Sequence, residues 1–184
     1  MRQIRRGVFE SNSSSCHSIC IQKRAVSLED HINFKFGEYA WDEEEVDDTA
    51  SYLYTLIMNT CDETTQQGRL DKLKAILNAH NIKYTFEEPK FVEYSFGYSC
   101  WEAGCVDHAY EANDFINTVL NDEDLLFRYL FGADSCVYTG NDNSCENDSM
   151  CWAADPKIWD DESEKMIGNP NHKPDEYDYF YKGN

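Results

Sequence analysis

Three stretches of the chain hold side chains suited to more than solvation. Asn12-Ser13-Ser14-Ser15-Cys16-His17-Ser18 sets a thiol and several hydroxyls beside an imidazole, the residue types of a nucleophile and its base. Neighbours on an extended chain point to opposite faces, so Cys16 and His17 do not meet through adjacency alone. No GxSxG elbow and no papain-like or caspase-like context surrounds any serine or cysteine. The simpler role for this stretch is a turn, in which Ser and Asn side chains bond to nearby backbone. Cys100, Cys105 and His108 follow a Cys-x4-Cys-x2-His spacing with Asp107 between. That spacing falls within the range of structural zinc sites, which need a fourth ligand. Cys136, Cys145, Cys151 or His17 is available to supply it. Asp142, within Gly140-Asn141-Asp142-Asn143-Ser144, sits in a stretch that lacks the alternating ligands, the central Gly and the terminal Glu of a calcium loop.

No Walker, Rossmann or kinase signature is present, and the glycines are scattered. Paired carboxylates are so numerous that no acid–base couple stands out. Nothing in the chain demands an enzyme. The alternative to a pure binding role is a zinc-stabilised module or metal-dependent enzyme using His17, His108 and Asp142, with Cys100 and Cys105 nearby. No cofactor is otherwise expected.

The acids form the largest group of functional candidates. Thirty-five Asp and Glu against 16 Lys and Arg give 184 residues a formal charge of −19, and the pI is near 4.4. Such a chain repels phosphates, so broad nucleic-acid binding is not expected, and a basic protein is the favoured partner. Residues 25–64 carry a net −10, residues 93–140 a net −8 and residues 141–184 a net −7, whereas residues 1–24 and 65–92 are weakly basic. The densest run is Asp42-Glu43-Glu44-Glu45-Val46-Asp47-Asp48, placed directly before an apolar periodic segment. Acids in the first turn of a helix are stabilised by its macrodipole, yet this run exceeds what a helix start requires. The surplus points outward, to a cationic target. Two further clusters interleave acids with aromatic rings: Trp159-Asp160-Asp161-Glu162-Ser163-Glu164, and Asp175-Glu176-Tyr177-Asp178-Tyr179-Phe180-Tyr181. Carboxylates offer Arg and Lys the same acceptors that phosphates do, and aromatic faces stack on guanidinium groups. Those rings serve equally well to dock the segment on its own domain.

Eight cysteines include no CxxC pair, and the nearest neighbours are Cys16 with Cys20, Cys100 with Cys105, and Cys145 with Cys151. The opening residues are basic with no apolar core behind them, so a cytoplasmic protein with reduced thiols is expected. Small half-buried thiols, a zinc site and a disulfide all remain open. No window is apolar enough for a membrane span.

The elements that must position these residues follow from periodicity. Residues 2–9 and 17–23 read as strands joined by the polar loop 10–15, with Ile19 and Ile21 alternating as in a half-buried strand. Residues 32–36 alternate likewise. Helices are predicted over 46–59, 64–79, 109–121 and 123–131, and strands over 82–86, 91–96 and 135–138. After Gly140 the apolar pattern fades. The expectation is an α+β core over residues 1–140, with helices packed on a mixed or antiparallel sheet, and an irregular, acidic, aromatic-rich extension over 141–184.

The opening Arg5-Arg6-Gly7-Val8-Phe9-Glu10-Ser11-Asn12-Ser13-Ser14-Ser15-Cys16-His17-Ser18 resembles a group of small proteins from phages and mobile elements of gut and clostridial-type bacteria. Those begin R-R-x-V-F-E-T-N-S-S-S-x-H-S, so Ser11 stands where Thr is usual. Val106-Asp107-His108 and Gly140-Asn141-Asp142-Asn143 are similar to further short blocks of that group, and the blocks together cover about a sixth of the chain. Some proteins of this sort are anti-CRISPR proteins that inhibit the RNA-guided nuclease Cas9. The resemblance implies a nucleic-acid mimic of mobile-element origin that binds a CRISPR nuclease, with or without guide RNA, in the bacterial host cytoplasm. It transfers no site residues.

Overall fold

The central strand of the protein has no face open to water. Strand β1 (Ser15–Gln22) carries Ile19 and Ile21 on one side, both fully buried, and Ser18, Cys20 and Gln22 on the other, all at most 5% exposed. Period-two alternation over 17–23 correctly marks a strand. The expectation of a half-buried one fails, because the C-terminal extension covers the second side.

The computed structural model describes residues 15–39, 44–60, 62–93, 99–102, 106, 112–141, 153–160 and 162–183. The strand read at 2–9 and most of the loop after it lie outside them. The architecture is α+β. Four antiparallel strands form the main sheet in the order β10 (Tyr177–Gly183), β1, β7 (Cys136–Asn141), β3 (Glu44–Val46). A parallel pair, β2 (His31–Phe34) with β4 (Lys83–Phe86), and two antiparallel pairs, β5 (Lys90–Glu93) with β6 (Ser99–Glu102) and β8 (Lys157–Asp160) with β9 (Lys165–Gly168), complete the strands described.

Helix α1 (Thr49–Met58) is buried along nine consecutive residues and sits at the centre of the apolar core. Its polar side chains face inward as well, and each has a task. The Ser51 hydroxyl accepts from the Lys35 N–H at 2.8 Å, and Thr55 Oγ1 accepts from the Gly37 N–H at 3.1 Å. Thr49 Oγ1 donates to the Tyr129 carbonyl at 2.9 Å. The helix therefore satisfies the backbone of the segment after β2 and anchors α4 (Glu123–Phe131). The expected helix start at Val46 is moved by one turn: residues 44–46 pair with β7 instead, with Val46 turned inward.

Helix α2 (Glu63–Ala79) is capped by Asp62, which accepts from the Thr65 N–H. It ends at Asn81 in the left-handed region, with Ile82 N–H bonded to Leu77 O and Asn81 N–H to Asn78 O. These two bonds and the buried Ile82 form a Schellman closure. Arg69 leaves the helix inward, bonding Thr60 and Asn117 of α3 (Asn113–Asn121), and burial lowers its pKa. Helix α4 spans the residues its periodicity predicts. Asp122 caps it, and Gly132 ends it where an added Cβ would lie 2.2 Å from the Arg128 carbonyl.

The extension departs most from expectation. In place of an irregular tail it supplies the hairpin β8–β9 and the sheet strand β10. A bulge in the β1–β10 register between Ile21 and Gln22 sets Tyr179 and Tyr181 against the main core while Tyr177 and Phe180 cover Cys20. The aromatic rings of 177–181 thus dock the segment on its own domain.

Leu53 is fully buried at the centre of α1, so Leu53→Ala should cost about 2–5 kcal/mol in urea unfolding, whereas Met166→Ala on the exposed β9 should leave the midpoint unchanged.

Candidate partner-binding surface

The acids singled out by sequence divide by what surrounds them. Asp48 is structural: its side chain accepts from the Ser51 N–H at 3.1 Å and from the Ser51 hydroxyl at 2.7 Å, capping α1. The helix carries no acid in its first turn, so the dipole explanation holds for Asp48 as cap and not for the run before it. Glu45 and Asp47 are exposed and make no ion pair with any described residue. Asp42 and Glu43 lie outside the described residues, and Glu44 is placed by its backbone in β3.

Asp47 and Glu29 line two adjoining grooves of about 280 and 230 Å³, whose walls share Thr49, Leu130 and Phe131. Glu45 joins the second groove, while His31 and Lys35 border the first. The arrangement is a shallow acidic corner with half-buried apolar side chains at its base. Glu29 was not among the sequence candidates. Nothing in its local pattern marks it, because the corner is assembled from three distant segments.

The 160–164 cluster forms the tip of the β8–β9 hairpin. Hydrogen bonding from the Ser163 hydroxyl and from the Ser163 N–H, the latter at 2.9 Å, lowers the pKa of Asp160 and closes the turn, and Glu164 adopts a positive φ of 52°. Glu162 and Glu164 are exposed and without ion pairs to described residues; Asp161 lies outside the described set. Along β9, Met166 and Ile167 are 52% and 40% exposed, two of the three large apolar side chains most open to water among the described residues. They read as isolated apolar residues in sequence, and only the hairpin shows that they sit beside the acidic tip.

The third cluster is largely consumed within the molecule. Asp178 pairs with Arg128 at 2.6 Å and with Lys23 at 3.9 Å, and Glu176 pairs with Lys173 at 3.2 Å. Asp175 remains exposed. Asp178 thereby ties β10 to α4 and to the end of β1.

Among the metal candidates, His17 is buried on β1, its Nδ1 3.1 Å from the Tyr52 hydroxyl in a hydrogen bond. Cys105, His108 and Asp142 lie outside the described residues, and Cys100 is placed only by its backbone in β6. Among the described residues no three metal-ligating side chains converge, and no helix is long and apolar enough to cross a membrane. No protein-family model, curated protein or solved structure matches the chain. The surface itself therefore carries the functional argument.

Burial raises the pKa of Tyr177 and Tyr179 to about 12, with nearby acidic groups adding to the shift. Their folded pKa exceeds the unfolded value near 10, so the unfolded chain sheds these protons first. The contribution of these two residues to stability should be constant below pH ~10 and fall as pH rises towards ~12, with phenolate absorbance lagging that of free tyrosine. Removing the partly buried pair by Asp178→Asn should cost about 1–2 kcal/mol by chemical denaturation, whereas Glu162→Gln should leave the unfolding midpoint unchanged.

Proposed function

We propose that the chain is an acidic inhibitor that docks on the basic, nucleic-acid-binding surface of another protein, acting as an anti-CRISPR protein on Cas9 in the bacterial cytoplasm. The observation that carries this reading is the position of the unpaired charge. Glu45 and Asp47 at the β3–α1 corner, and Glu162 and Glu164 at the hairpin tip, face solvent and form no ion pair with a described residue, whereas Lys23, Arg24, Arg128 and Lys173 do pair with acids. Acids retained only for capping or for holding strands together would be expected to meet a donor within the molecule, as Asp48 and Asp178 do.

The chemistry suits a cationic groove. Carboxylates take the bidentate bonds that guanidinium groups otherwise give to phosphate. A net −19 steers the chain towards such a groove and makes association sensitive to salt. Met166 and Ile167, on opposite faces of β9, leave one exposed apolar side chain beside the hairpin acids whichever face meets a partner. The resemblance of the opening residues to proteins of phages and mobile elements selects an RNA-guided nuclease among the possible basic partners.

Binding to purified Cas9, with and without guide RNA and at rising salt, tests the reading. Affinity should fall steeply with salt and differ between the two nuclease states. The pairs Glu45→Gln with Asp47→Asn, and Glu162→Gln with Glu164→Gln, should each weaken binding about 2- to 30-fold. Neutralising Asp71 and Glu88, exposed acids elsewhere, should change it far less. Equal losses from all sets would reduce the effect to bulk charge, and no binding to either state would overturn the proposal.

A further inference from the structure

Cys20 and Cys136 are 116 positions apart in the chain and directly opposite each other in the β1–β7 ladder. Their sulfurs are 3.3 Å apart, and both are thiols. Residues facing each other across an antiparallel pair have Cα separations of about 4.5 or 5.5 Å, both inside the range that a disulfide bridges. Bond formation therefore needs the two sulfurs to close to about 2.05 Å, a motion that side-chain rotation supplies without a change of register. Ala154, Tyr177 and Phe180 pack over the pair, and the Cys20 thiol donates to the Asp134 carbonyl at 3.8 Å. Cys136 also lines the second groove of the acidic corner, whereas no contact of the proposed binding role involves Cys20.

We propose that Cys20 and Cys136 form a dithiol–disulfide site that exchanges with low-molecular-weight disulfides. Cys136 is the entry thiol, because it is half-buried while Cys20 is 1% exposed. The Cys136 thiolate attacks one sulfur of oxidised glutathione, forming a mixed disulfide and releasing one glutathione thiolate, which takes up a proton. The Cys20 thiolate then attacks Cys136 Sγ, and the second glutathione leaves as thiolate and is protonated in turn. Two protein thiols and one small disulfide become one protein disulfide and two small thiols. The product ties the central strand of the sheet to its neighbour across a long chain loop, and so should resist unfolding more than the dithiol does.

The test is incubation of the folded full chain in glutathione redox buffers, alkylation of remaining thiols under native conditions, and peptide mapping by mass spectrometry. The expected result is a linked pair of peptides carrying Cys20 and Cys136, a rise in thermal midpoint on oxidation, and reversal of both by excess reduced glutathione. Cys20→Ala should accumulate a stable glutathione adduct on Cys136. Cys136→Ala should take up little glutathione at Cys20 and lose the oxidant-dependent midpoint shift. Each variant's folding is checked by circular dichroism. Linkage formed only after denaturation, linkage of either residue to a different cysteine, or a folded Cys136→Ala protein in which Cys20 is modified as readily as Cys136 is in Cys20→Ala, would each overturn the site as described.

Discussion

Burial of both sides of β1 is the constraint from which the rest of the structure follows. A strand with Ile19 and Ile21 on one face requires an apolar layer, and α1, α3 and α4 provide it. The same strand places Cys20 between Ser18 and Gln22 on the other face, where the Ser18 hydroxyl is buried with no hydrogen-bond partner among the described residues and Gln22 is fully engaged. The Gln22 amide oxygen accepts from the Asp134 N–H, its amide nitrogen donates to the Arg24 carbonyl, and its backbone N–H donates to Ser135 Oγ, which in turn donates to the Arg128 carbonyl. The turn between α4 and β7 is thereby fastened to the end of β1. The cover over this face comes from the last forty or so residues of the chain, so the fold closes only when β10 has returned to pair with β1.

This closure sorts the charge. Arg128 and Lys23 are drawn to Asp178 because β10 must be held against α4, and Arg69 is spent inside, bridging α2 to α3 through neutral partners. Lys23, Arg24, Arg69, Arg128 and Lys173 thus serve local structural ends, while Lys35, Lys83 and Lys165 are exposed with no ion pair to a described residue. The acids outnumber these bases, and among the described residues exposed acids without an ion pair stand at the β3–α1 corner and the hairpin tip and also at Glu38, Asp71, Glu88, Asp114 and Asp124. A buried carboxylate without a cation would carry a large desolvation cost, so exposure of these groups is what the low count of bases already demands.

Much of this was legible in local pattern. Helix α4 could be read to the residue because Asp122 supplies a cap and Gly132 a stop, and α2 because its apolar stripe is long and ends in Asn81. Helix α1 was misplaced by one turn, since Val46 continues an apolar spacing that the β3–β7 pairing overrides. Strand β10 escaped because its rings follow Asp175 and Glu176 and enclose Asp178, a composition that reads as a solvated tail until the rings find a core. The acidic clusters were visible, but not which members were already engaged: Asp178 differs from Asp175 through Arg128 and Lys23, brought in from other elements, and Asp48 from Asp47 through its local cap on Ser51. The Cys20–Cys136 contact was beyond reach for the same reason, because it depends on a register between strands more than a hundred residues apart.

The β8–β9 hairpin brings charge and apolar surface into one argument. A two-stranded hairpin with Met166 and Ile167 in water is the kind of edge on which a second copy of a chain would pair. Here that association meets a penalty, because each copy carries a net −19 and the acids of the tip stand beside the apolar residues. Self-repulsion at short range opposes the homotypic contact while leaving the apolar area available. A cationic surface reverses the sign of the long-range term and gains the same apolar contact. In the proposed binding role the tip acids select the partner, and whichever of Met166 and Ile167 faces it adds apolar burial. Screening by salt should weaken the attraction to a basic partner and, by the same physics, relax the barrier between copies.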